Sequence, residues 1–263
     1  MKSLFLIRAP LAMDSLARWS AERGWIRGGG HAAGFDEGRA LHHLLDELFG
    51  PRILRPFRLL VATGGNKANL YGYSQHDHRQ LRKAAQVHGL PDHTSVIELE
   101  RLQGKIIPSI WTFGRRVGFD LRVRPVRRLK TGLEAGGRTF RKGAELDAFL
   151  IEALRRYPEN GDGMSADARS RESVYLDWLD ERLGEAARLE RPATRLVRFR
   201  RVRISRGSSG PEGPDATFHG VLKINQPDLF CALLSHGVGR HRAYGYGMLL
   251  LRPPGPELQR YHA

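Results

Sequence analysis

The chain has 263 residues, enough for one large domain or two compact ones, and its 41% hydrophobic and 27% charged content excludes wholesale disorder. A formal net charge of +15, from 43 Lys and Arg against 28 Asp and Glu, attracts polyanions and makes nucleic acid the first partner class to consider. The single cysteine, Cys231, excludes an internal disulfide and a cysteine-based zinc site. Arg8 interrupts the first apolar run well short of a signal core or membrane span, so a cytoplasmic protein with no membrane partner is expected.

In chain order, residues 4–11 form an apolar run broken by Pro10 and read as a strand. Residues 20–34, with three consecutive glycines at 28–30, read as a loop or insertion. Asp36 is a good N-cap for a helix whose stripe is Leu41, Leu44, Leu45 and Leu48, stopped by Gly50-Pro51. Residues 57–63 and 70–74 suggest strands, 77–88 a helix, and 95–107 a strand or hairpin. The order β-α-β-β-α-β predicts a ferredoxin-like, RRM-like unit over residues 1–110.

A second such unit is expected over 117–263. In residues 119–124, Phe-Asp-Leu-Arg-Val-Arg, apolar and polar positions alternate, predicting a strand with one buried face and one exposed basic face. Helices are expected over 145–157 and 172–187, separated by a Gly, Asn and Asp-rich linker at 158–163. Residues 195–204 read as a strand whose apolar phase slips, predicting a bulge near Arg200-Arg201. A Gly, Ser and Pro-rich turn at 205–215, a strand at 218–224, a helix at 227–234 and a strand at 246–251 complete an α+β fold of two tandem ferredoxin-like (βαββαβ) domains.

Charge is segregated along this plan. Residues 115–142 hold ten basic side chains against two acidic ones, and 195–206 hold six arginines and no acid. Arginine offers planar bidentate donors to phosphate and stacks on bases. Arg122, Arg124, Arg127 and Arg128, then Arg198, Arg200, Arg201 and Arg203, are therefore the candidate RNA-binding side chains, against the plainer reading of a solvated basic face.

Residues 237–247, Gly-Val-Gly-Arg-His-Arg-Ala-Tyr-Gly-Tyr-Gly, lie between a helix and the last strand. Glycine lets a backbone approach phosphate closely, so Gly237, Gly239, Arg240 and His241 are candidate phosphate contacts, although the glycines could equally be turn formers. A dinucleotide-binding fingerprint is excluded: its last glycine position holds Arg242, and the motif precedes a strand instead of opening a helix.

The segment has the form G-h-G-x5-G-h-G and resembles the C-terminal glycine-rich loop of the CRISPR repeat-processing endoribonucleases. Residues 218–225 (Phe-His-Gly-Val-Leu-Lys-Ile-Asn), 118–125 and 175–179 (Tyr-Leu-Asp-Trp-Leu) are similar, in order, to blocks of the CasE subfamily; residues 40–50 resemble it more weakly. The resemblance implies metal-independent cleavage at the 3′ base of a repeat hairpin. The ribose 2′-OH attacks the adjacent phosphate, leaving a 2′,3′-cyclic phosphate and a 5′-OH. No cofactor is implied. The implied partners are CRISPR repeat RNA, the mature crRNA, and other subunits of a class 1 effector complex.

The family's histidine aligns with His42, which titrates near neutrality and suits either proton role. Many CasE relatives carry a tyrosine one turn earlier, where this chain has Arg39. An arginine cannot act as a base, but it can clamp phosphate. The expected catalytic set is thus His42, Arg39, Arg242 and Arg23, with no metal. The departure leaves open a type I-E enzyme or a divergent relative serving a type IV system. It also leaves open a catalytically weak or inactive crRNA-binding subunit.

Overall fold

The computed structural model describes residues 3–25, 35–62, 64–135, 137–157, 169–203 and 212–254. The linker expected at 158–163 and most of the turn expected at 205–215 lie outside the described residues. Packing divides the chain into two units, 1–112 with 227–250, and 113–226 with 251–263.

The first unit begins with β1 (Phe5–Ala12) and runs directly into α1 (Met13–Glu22), then α2 (Glu37–Phe49). Helix α1 was not expected, and Ser20–Glu22, assigned to a loop, are its last turn. Its N-cap is Ala12, which makes no side-chain cap bond, so the usual signal of a helix start is missing. Asp36 does cap α2 by accepting from the Arg39 N–H, and Gly50 ends it at φ 94°. Next come β2 (Phe57–Val61), β3 (Lys67–Ser74), α3 (His78–His88), the short α4 (Pro91–Thr94) and β4 (Gln103–Ile106). Asp77 and Gln80 form a reciprocal capping box at the start of α3. Residues 95–107 thus contain a 3-10 turn (Leu99–Arg101) and β4, not a hairpin. The sheet order is β2-β3-β1-β4, all antiparallel, the ferredoxin-like arrangement. Ile7, Ala9 and Leu11 of β1 meet Leu41, Leu44, Leu45 and Leu48 of α2 in a core where all are at most 2% exposed. Each such burial is worth about 1.5–3 kcal/mol for a large aliphatic side chain.

The second sheet runs β10-β11-β5-β12, from β5 (Arg116–Val123), β10 (Ala187–Arg203), β11 (Glu212–Ile224) and β12 (Leu249–Arg252). Counted within this half, that is again strand order 2-3-1-4. Short pairs β6 (Val126–Arg128) with β9 (Glu145–Asp147), and β7 (Leu133–Ala135) with β8 (Arg138–Phe140), were not anticipated. Helices α5 (Ala148–Arg156) and α6 (Arg171–Leu183) follow, and α6 buries Tyr175, Trp178 and Leu179. The irregularities of β10 fall between Glu190 and Arg195 and at Val197, while 198–203 pair in unbroken register with 217–212. The bulge expected near Arg200-Arg201 is therefore a few residues earlier, where exposed Val197 drops out of the ladder.

Helix α7 (Pro227–His236) and the glycine-rich loop complete the second βαββαβ in chain order. Their packing nevertheless groups 227–250 with the first unit, so the boundary drawn at 117–263 divides the chain by topology and not by contact.

Candidate active site

Everything around His42 belongs to the first unit. On α2 the Leu41, Leu44, Leu45 and Leu48 stripe is buried, which turns His42 and His43 to the half-buried flank. The glycine-rich loop closes on itself where the Val238 N–H donates to the Gly247 carbonyl at 2.7 Å. Gly237 and Gly247 have φ of 76° and 79°, and a Cβ on either would collide with backbone, at 2.8 Å from the Gly247 oxygen or 2.4 Å from the Val238 oxygen. Between these ends a 3-10 turn, Arg242–Tyr244, projects onto α2. A Cβ on Gly38 would sit 2.5 Å from the Tyr244 carbonyl oxygen, so only glycine allows this approach. The Tyr244 ring then meets His42 edge-on, centroids 5.2 Å apart.

From the other side, Arg55 Nη2 lies 2.5 Å from His42 Nδ1 and 2.6–2.8 Å from both carboxylate oxygens of Asp46. His43 is next in the aromatic row, 4.9 Å from His42 and 4.5 Å from Trp25. The Arg39 guanidinium lies 5.3 Å from the Trp25 ring centroid. Burial lowers the pKa of both histidines, assisted by Arg55 at His42 and by Arg39 at His43. Two neutral imidazoles, a phenol and two guanidiniums on one surface can hydrogen-bond and neutralise a phosphodiester.

The structure thus brings His42, Arg39 and the glycine-rich loop together. Arg242 is exposed on the loop and donates to the His236 carbonyl at 2.6 Å. Arg23 is tied elsewhere, 2.9 Å from Asp92 and 3.6 Å from Glu47, with its guanidinium over Trp19. Of the loop groups, Gly237 is a turn former: it is buried and its N–H already donates to the Leu233 carbonyl at 2.7 Å, which corrects its reading as a phosphate contact. Gly239 (φ 76°), exposed Arg240 and left-handed His241 (φ 61°) lie on the rim.

The basic strand face requires a larger correction. Arg122 and Arg124 are 8% and 3% exposed, and β5 is buried at every position after Arg116, so neither of its faces is a wet one. Arg122 makes a bidentate pair with Asp215 at 2.8 and 3.0 Å, and Arg200 adds a third bond to the same carboxylate at 2.6 Å. Arg127 is paired bidentately with Glu181. Exposed cations remain in Arg128, which donates to the Gly143 carbonyl, in Arg198, and in Arg201, 3.6 Å from Glu212. Arg203 lies in β10, its backbone paired with Glu212. Among the described residues no three His, Cys, Asp or Glu side chains gather as metal ligands.

Tyr244, Arg55 and Asp46 were missed. Asp46 at i+4 from His42 was a readable neighbour. Arg55 and Tyr244 arrive through tertiary packing that no local spacing encodes.

Two ferredoxin-like units, with a glycine-rich loop set against a helix that carries a histidine, define the class of fold to which this chain belongs. Residues 4–253 match the family model described as "CRISPR associated protein", and the chain belongs to that family. Its fold is that of solved CRISPR endoribonuclease structures. A Cse3 bound to 19-nucleotide RNA superposes with a TM-score of 0.64 at 17% identity, covering 95% of this chain and 100% of that one. Thermus thermophilus Cse3, bound to an RNA representing a pre-cleavage complex, gives 0.59 at 18%, covering 95% and 100%. Cas6e from Escherichia coli K-12 gives 0.55 at 20%, covering 95% and 99%. No match was found among curated protein sequences.

Proposed function

We propose that the chain is a metal-independent endoribonuclease that binds CRISPR repeat stem-loops in precursor RNA and cuts at the 3′ base of the hairpin. The observation that carries this reading is the seating of the glycine-rich loop on α2 at Gly38, which sets Tyr244 beside His42. The similar Cse3 structures hold RNA, one of them representing a pre-cleavage complex, which supports the same substrate class here. The scissile phosphate lies against His42, with Arg39 and Arg242 as its clamps. The 2′-OH attacks, the phosphorane is stabilised by these donors, and the products carry a 2′,3′-cyclic phosphate and a 5′-OH. Exposed Arg128, Arg198 and Arg201 of the second unit hold the stem through its phosphates, because A-form RNA offers shape and backbone more readily than base edges. The protein keeps its product and passes with it into a class 1 effector complex. No described helix is long and apolar enough to cross a membrane.

The test is incubation of purified protein with repeat RNA in EDTA. Specific cutting with cyclic-phosphate ends is expected, and a 2′-deoxy sugar at the scissile position abolishes it. Tight binding without cutting would identify a non-catalytic crRNA-binding subunit. Indifference to repeat stems at moderate salt would remove the proposal altogether.

A further inference from the structure

Two side chains, Arg55 and Asp46, approach one ring nitrogen of His42. Arg55, two residues before β2, brings Nη2 to 2.5 Å from His42 Nδ1. Asp46, one turn along α2, holds that same Nη2 with both oxygens but stays 3.6 Å from the ring nitrogen. The guanidinium and the carboxylate side chains are 19% and 27% exposed, so the pair is shielded without being sealed.

A guanidinium carries donors and no acceptor, and it keeps its proton at any working pH. The lone pair of Nδ1 must therefore point at Arg55. A neutral imidazole so engaged holds its single proton on Nε2. Direct contact between Asp46 and Nδ1 would do the reverse: the carboxylate would take an Nδ1–H bond, favour the imidazolium and leave Nε2 bare as a base. The interposed arginine inverts that arrangement.

We infer that Arg55 is a positioning residue that fixes His42 as the Nε2–H tautomer, so that the ring meets the RNA phosphate as a hydrogen-bond donor and not as a proton acceptor. The inference rests on the endoribonuclease reading and assigns one residue of that same site a chemical role. The groups facing the ring are Arg55 and Asp46, His43 beside it on α2, and the Tyr244 edge from the glycine-rich loop. Arg242 on the same 3-10 turn points its guanidinium to the His236 carbonyl. Burial and Arg55 both disfavour the imidazolium and His43 adds to them, with Asp46 the one opposing influence among these.

The chemistry balances without a basic imidazole. The O2′–P bond forms and the P–O5′ bond breaks; the proton leaving O2′ and the proton arriving on O5′ are exchanged with water. His42 donates to a non-bridging oxygen as charge builds there, and it finishes with the proton it began with.

Nitrogen-15 NMR of the imidazoles in the RNA-free protein tests this directly, with His42 assigned by difference against His42→Gln. Between pH 6 and 8 the unmodified protein is expected to show His42 with bare Nδ1 and protonated Nε2. A proton on Nδ1 in that range overturns the inference. Arg55→Met removes the donor and the charge together, and the His42 pKa should then rise from its wild-type position, with Asp46 no longer opposed by the guanidinium. Arg55→Lys should restore the wild-type tautomer. An Arg55→Met spectrum identical to wild type also overturns the inference. In single-turnover cleavage, the wild-type pH–rate profile should lack an inflection between pH 6 and 8, and Arg55→Met should gain one. Because the spectra are read without RNA, a protein that never cuts fails the functional proposal alone and leaves the tautomer result standing.

Discussion

Each unit contains an arginine–aspartate pair, and the two are built for different ends. In the second, Arg122 and Asp215 meet fork to fork with side chains only 10% and 4% exposed, and Arg200 adds a third bond to the same carboxylate. In the first, Arg55 and Asp46 are two to seven times more accessible, and the arginine extends past its carboxylate to an imidazole. A closed pair cancels charge inside a sheet. An open one directs its surplus at a group that can change protonation state. A net charge of +15 therefore says little about how many cations reach a ligand, since several arginines of the second unit face carboxylates of their own protein.

The largest effect that would sharpen this contrast is on stability. Asp215→Ala strands a buried guanidinium and should cost about 3–5 kcal/mol in denaturant unfolding. Asp46→Ala, at a half-buried pair, should cost about 1 kcal/mol. Equal losses would erase the distinction. Acid provides a second comparison. Burial raises the Asp215 pKa, but the Arg122 and Arg200 guanidiniums more than offset this and hold the carboxyl below its ordinary range. A carboxylate whose folded pKa is depressed stabilises above its unfolded value, about 3.9, and the contribution is lost as pH falls through the lower folded one. Asp215→Asn should therefore show a shallower loss of stability below about pH 4 than wild type.

Next in size is Gly38→Ala, whose Cβ would drive the Tyr244 backbone off α2. Cleavage should fall about 100-fold, since small displacements of positioned groups cost that much, while the far-ultraviolet spectrum stays native. Undiminished cutting would detach the loop from the chemistry. The smallest effect separates an exposed cation from a paired one. Arg198→Ala should reduce the salt slope of RNA binding by roughly 0.7–0.9, the contribution of one phosphate contact, whereas Arg127→Ala, which loses a bond to Glu181, should leave the slope unchanged.

Much of the fold was readable because local chemistry agreed with it. Asp36 caps the helix it was expected to cap, a helix follows Asp77 as expected, and the Leu41 to Leu48 stripe faces the core. Helix α1 was hidden because it follows a strand without a capping side chain. The strand 119–124 was misread in its burial for an instructive reason. Alternating apolar and charged residues imply a wet face only if nothing covers it, and Asp215, nearly a hundred residues away, makes a dry one tolerable for Arg122. At the site, the loop was legible as a glycine motif, His42 and Arg39 came into view only through the family resemblance, and Gly237 was legible only as a glycine. Tyr244 and Arg55 were not: a tyrosine among glycines and an arginine before a proline carry no local sign of the ring they reach.

The seating of Tyr244 against Gly38 joins residues about two hundred positions apart. A ribosome that has released the first 230 residues has delivered helix α2 with both of its histidines, yet nothing of the turn that completes their surroundings. The contact therefore forms late as the chain is made, since it must wait for residues beyond 240 to emerge.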